Sequence, residues 1–226
     1  MDQLSKNTVE AKNQLKESQF VTFERPENQG VRIMFAGNSI TLHGYRPEIG
    51  WHGSWGMAAS AKDRDYVHLC ISETEKYAPD AAFCICQISE WEREYKNGSA
   101  KHQLYRSARD FNADIIVMRA VENCPAQEFD EQSFVREYDG LLKYLNPEGK
   151  AKIIITSSFW KHPADPAIEK YAKDNGLPYC CISDLGELDE MKAIGLFEHE
   201  GVAQHPGDLG METISKRIMD IMADIL

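Results

Sequence analysis

What most constrains the fold is a set of five short apolar runs, at residues 31–36, 81–88, 113–119, 151–157 and 178–182. Segments such as IIVM at 115–118 and KIIIT at 152–156 are nearly continuous in Val, Ile and Met rather than alternating apolar with polar. A strand wetted on one face alternates, and one covered on both faces does not. Strands of the second kind belong to parallel sheets with helices on each side. Helical stretches lie between the runs. Residues 65–77 bring Tyr66, Leu69, Cys70, Glu73 and Tyr77 to one face, and 131–145 repeat Phe134, Tyr138, Leu141, Leu142 and Leu145. Residues 166–175 start on a proline suited to a first turn and end before Gly176, a good C′ residue. The last stretch carries Ile214, Ile218, Ile221 and Ile225 on one stripe, with Asp208 available as its cap. The alternation predicts a three-layer α/β/α sandwich around a five-stranded parallel sheet with right-handed crossovers. Residues 1–30 read as a partly helical extension, packed on the domain at 31–226 or on a second subunit, which would make a homo-oligomer.

In open α/β sheets ligands gather beyond the carboxyl ends of the strands. The first run is followed there by Gly37-Asn38-Ser39-Ile40-Thr41, the second by Ser89-Glu90-Trp91, and the third by Arg119-Ala120-Val121-Glu122-Asn123. The loop before the last helix holds Glu198-His199-Glu200-Gly201-Val202-Ala203-Gln204-His205-Pro206-Gly207-Asp208. A serine, an asparagine and a histidine thus fall on three loops at one end of the sheet. Acyl transfer needs those types: a hydroxyl that attacks, an imidazole that takes its proton, and fixed N–H donors for the oxyanion. Thr41 stands where G-x-S-x-G would place its second glycine, which disfavours the α/β-hydrolase elbow.

Composition narrows the partners. The 36 Asp and Glu outnumber 25 Lys and Arg, for a formal net charge of −11 in 226 residues. That balance argues against nucleic-acid and anionic-membrane surfaces, which need clustered cations. No apolar run approaches the roughly 20 residues of a membrane span. The first residues carry no apolar signal segment, so a cytoplasmic address is expected. The six cysteines lack metal-ligand spacing and read as buried thiols.

GNSIT after the first strand, an asparagine after the third and His-Pro before the last helix resemble the SGNH (GDSL-type) hydrolase superfamily. WGMAAS, DYVHL, EN and HPGDLGM resemble its carbohydrate-esterase-like branch. The resemblance runs from about residue 31 to the end of the chain. It implies a flavodoxin-like sheet and a serine hydrolase that needs no metal or cofactor. By matching position, Ser39 is the nucleophile and an oxyanion donor through its backbone N–H. Asn123 donates a side-chain N–H to the same oxyanion, and His205 is the general base. The chain departs from the family twice. The glycine expected after the second strand is replaced, leaving Ser89 or Glu90 as backbone donors, with Gly53 and Gly56 as fallbacks. The acid expected three residues before the histidine is Val202, so Glu200 is the candidate third member of a triad, with Glu198 behind it. A Ser–His dyad braced by a backbone carbonyl is the alternative.

Arg119 and Glu122 read either as substrate-binding groups or as an ion pair holding the loop. Trp91, with Trp51 and Trp55, reads either as a sugar-stacking face or as core. The expected activity is removal of small acyl groups, acetyl first, from a carbohydrate or similar small polar ester. A lysophospholipase or thioesterase of the same superfamily, and a non-catalytic binding module keeping the fold, are the competing readings.

Overall fold

A computed structural model describes residues 15–226. Six strands form one sheet in the order β1-β3-β2-β4-β5-β6: β1 Val21–Glu24, β2 Arg32–Gly37, β3 Ala82–Gln87, β4 Ile115–Met118, β5 Lys152–Thr156 and β6 Tyr179–Cys180. β2 to β6 pair in parallel, each within one of the five apolar runs except that β2 runs one residue past its own. The sixth strand is a correction to the five expected. β1 pairs antiparallel with β3, Val21 opposite Cys86 and Glu24 opposite Phe83. It escapes sequence detection because VTFE is four residues long and only Val21 is fully covered. It also lies in the stretch read as a partly helical extension; residues 1–14 of that stretch lie outside the described residues.

Strand alternation divides the core cleanly. Ile33 and Phe35 of β2, with Phe83, Ile85, Ile115 and Val117, face α1 (Tyr66–Thr74) and α7 (Asp208–Met222). Met34 and Ala36, with Cys84, Cys86, Ile116 and Met118, face α2 (Ser89–Arg93), α3 (Arg106–Phe111), α4 (Glu131–Leu145) and α5 (Asp165–Asp174). All five residues of the predicted α4 stripe are buried. The Asp65 and Asp130 carboxylates cap α1 and α4, accepting the His68 and Ser133 N–H groups at 2.7 Å each. Gly176 follows α5 with φ 63°. Asp208 does not cap α7; it accepts from the Ser60 N–H and hydroxyl at 2.8 and 2.6 Å, tying that helix to the loop before α1. Five cysteines are buried thiols, whereas Cys181, past the end of β6, is exposed. Among the described residues no helix is long and apolar enough to cross a membrane.

Candidate active site

The chain leaves β2 through a turn that only glycine can start. A Cβ on Gly37 would lie 2.0 Å from Thr41 Oγ1 and 3.0 Å from the Arg119 carbonyl. Asn38 closes the turn, its carbonyl accepting the Thr41 and Leu42 N–H groups, and Ser39 rides on it, half-buried. The Ser39 N–H has no acceptor among the described residues.

His205 arrives from the other end of the chain. The short helix α6 (Glu200–Ala203) folds under it, and the ring stands between two partners. Nε2 lies 2.8 Å from Ser39 Oγ, and Nδ1 lies 2.7 Å from the Gly201 carbonyl oxygen. A carbonyl only accepts, so Nδ1 carries the proton and Nε2 is the acceptor that faces the hydroxyl. Burial lowers the imidazole to about 4; the Gly201 carbonyl opposes the shift, and His43, Arg119 and His199 reinforce it. The ring is therefore neutral across the whole range in which a base is wanted. Trp160 meets it edge-on at 5.0 Å and donates its indole N–H to the Gln204 carbonyl. Trp160 carries no sequence signal of its own beyond its place just past β5, at the strand-end face where the other site loops gather.

Glu200 is exposed in the first turn of α6, and the Gly201 carbonyl, not a carboxylate, accepts the hydrogen bond from His205 Nδ1. The brace on the ring is main chain. Glu198 is exposed as well.

The asparagine side is built from charge. Asn123 Nδ2 donates to Glu92 Oε2 at 2.5 Å. Arg119 is fully buried and pairs with Glu122 at 2.5 Å while donating to Asn38 Oδ1 at 3.0 Å. Glu122 also accepts from Asn38 Nδ2 and the Phe159 N–H. Arg119 and Glu122 therefore form the ion pair that holds the loop and do not open onto solvent. Trp91 is likewise a core residue, fully buried against Phe134 and Tyr138, where no sugar ring can reach it. Trp51 is buried against Trp55 and Phe197.

Of the backbone donors considered after β3, the Ser89 N–H points to Gln87 Oε1 at 3.3 Å, and that of Glu90 has no acceptor among the described residues. The Gly56 N–H is taken by Asp65 at 2.8 Å, and Gly53 is wedged between Trp51 and Trp55. Ser89 and Glu90 line a cavity of about 540 Å³ with Leu42, His43, Arg46 and Gln87. Gln19 and Phe20 from the segment before β1 close its far wall.

No family model and no curated protein matches the chain. Solved structures do. A two-domain esterase active on acetylated mannans superposes with a TM-score of 0.57 at 16% identity, over 89% of this chain and 50% of that one. A family two carbohydrate esterase from Clostridium thermocellum gives 0.55 at 10%, over 86% and 63%. A protein of the G-D-S-L lipolytic family from Desulfitobacterium hafniense gives 0.50 at 10%, over 83% and 97%. The chain spans half the length of the two-domain esterase. At these identities the likeness is one of architecture, and it places the chain in the SGNH (GDSL-type) hydrolase fold.

Proposed function

We propose that the protein is a serine esterase that removes small acyl groups, acetyl first, from a carbohydrate or similar polar ester. One observation carries this reading: the 2.8 Å approach of Ser39 Oγ to an imidazole whose other nitrogen is already committed as a donor. Ser39 Oγ attacks the ester carbonyl carbon as its proton passes to His205 Nε2. The carbonyl oxygen becomes an oxyanion received by the Ser39 N–H, the second amide hydrogen of Asn123 and a backbone N–H of Ser89 or Glu90. His205 then protonates the departing alcohol oxygen, leaving an acyl group on Ser39. Water gives a proton to His205 as it attacks the acyl carbon; the Ser39 Oγ–acyl bond then breaks, His205 returns the proton to Oγ, and the free acid leaves.

The substrate class is supported by two of the structural neighbours, which are carbohydrate-directed esterases. The lining of the cavity at Ser89 and Glu90 supports it too, since His43, Arg46, Gln87, Ser89 and Arg93 suit hydroxyl-rich groups better than a long alkyl chain. The test is twofold. A fluorophosphonate probe should label the wild type and spare Ser39→Ala; a folded wild type that resists labelling favours a binding module. On p-nitrophenyl esters kcat/KM should fall from acetate to octanoate, and the reverse order favours a lysophospholipase or thioesterase.

A further inference from the structure

Two loops, the turn after β2 and the loop after β4, converge on a single covered carboxylate. Glu92 on α2 has no exposed surface. Its Oε1 accepts from Asn38 Nδ2 at 3.0 Å and from the Val121 N–H at 2.5 Å, while Oε2 accepts from Asn123 Nδ2. Asn38 immediately precedes Ser39, and Asn123 is the side-chain oxyanion donor of the proposed mechanism. Resting on the serine-esterase reading, we infer that Glu92 is a positioning residue, whose carboxylate fixes the Asn123 amide for the oxyanion and locks the turn that carries Ser39.

The argument is one of hydrogen-bond capacity. A primary amide has two N–H groups and one carbonyl, and nothing in its shape says which end faces the ligand. A carboxylate accepts and never donates. Glu92 therefore takes one Asn123 hydrogen, leaves the other for the oxyanion, and turns the amide oxygen away. Asn38 is specified in the same way. Its two hydrogens go to Glu92 and Glu122, and its oxygen accepts from Arg119 and, at 3.3 Å, from the Ile40 N–H. With both hydrogens spent, Asn38 orients and does not bind substrate.

Val121 adds independent support. Its φ of 115° is a conformation that β-branched residues avoid. Such a backbone persists only where its surroundings hold it, and the bond from the Val121 N–H to Glu92 is one such hold.

The charged and titratable groups around Glu92 are Arg119, Glu122 and Cys124 from β4 and its loop, and Tyr105 from the segment before α3. Burial first, and Glu122 second, push the Glu92 carboxyl up to about 7, against the pull of its three N–H donors. The anchor therefore changes charge near neutrality. Once protonated it loses acceptor capacity, so the Asn123 amide is held less firmly.

Glu92→Gln tests the inference because it keeps the shape and turns an NH₂ toward one of the donors. It should lower kcat about 10- to 100-fold and leave KM within about threefold, since a misaimed oxyanion donor weakens the transition state more than the ground state. Glu92→Asp, with charge kept and reach shortened, should recover part of the loss. In an Asn123→Ala background Glu92→Gln should cost less than it does in the wild type, because the part of its effect that passes through Asn123 is already gone. The wild-type kcat profile should show a partial rise through about pH 7 that Glu92→Gln lacks. A Glu92→Gln enzyme with wild-type kcat, or one whose loss multiplies fully with that of Asn123→Ala, overturns the inference. Should Glu92→Gln fail to fold, Glu92→Asp carries the test, and a wild-type kcat in that variant overturns the inference. Wild type that neither reacts with fluorophosphonate nor turns over esters would remove the esterase reading instead, and this inference with it.

Discussion

His205 is oriented by one carbonyl of the four-residue helix just before it, whereas Asn123 rests on a carboxylate embedded in a network of four charged or amide side chains. The first brace is main chain and survives nearly any substitution nearby. The second consists of buried charge, where each member is costly to leave without its partner. The comparison teaches that, on the proposed mechanism, one site can hold its base through backbone and its oxyanion donor through buried side chains. Sensitivity to mutation should then be lopsided.

The reacting hydroxyl sets the upper bound. Ser39→Ala should reduce kcat about 10⁴- to 10⁶-fold without loss of thermal stability, measured by turnover and by calorimetric melting. Next come the braces on the asparagine side. Arg119→Met leaves Glu122 buried without its cation, and should destabilise the fold by about 3–5 kcal/mol in denaturant titrations. Asn123→Ala should lower kcat about 10²- to 10³-fold with little change in KM, as expected for removal of one oxyanion donor. If Arg119→Met proves neutral, the asparagine side is not held by charge and the comparison collapses.

How much of this could be read from residues alone follows the same division. Ser39 and Asn123 stand just past strand ends and His205 in the loop before the last helix, in a recognisable order, and the apolar runs locate five strands. Glu92 is invisible by that route. It sits in SEWER, between a core tryptophan and the exposed Arg93, and looks like any acid on a helix surface until the fold buries it. The Gly201 carbonyl is invisible for a different reason, since every residue has one and only the turn of α6 aims this one. Glu200 drew notice because side chains are what a sequence displays. Trp91 misled because an aromatic near a cleft and an aromatic in a core are the same letter.

Two smaller effects sharpen the base side. Because burial holds His205 near 4, its neutral form, and the activity depending on it, should be lost only as pH falls through that value. In Glu92→Gln, which lacks the inflection near neutrality, kcat/KM at pH 5 should keep about nine-tenths of its plateau; a base of ordinary pKa near 6.5 would leave only a few per cent. Smallest of all, Glu200→Gln should change kcat/KM by less than about twofold, because no proton passes to that carboxylate. A tenfold loss there would restore the triad and make the two halves of the site alike.

The antiparallel β1 has a practical consequence for anyone trimming the gene. A fragment started at residue 31, where the apolar pattern first becomes obvious, would strip the neighbour from Phe83–Cys86 and uncover a row of backbone donors and acceptors. Such a raw margin recruits whatever extended peptide is nearest, often a sister molecule, so the shortened product should clump or pair with itself. It would also have lost Gln19 and Phe20, and with them part of the wall of the hollow that Ser89 and Glu90 line.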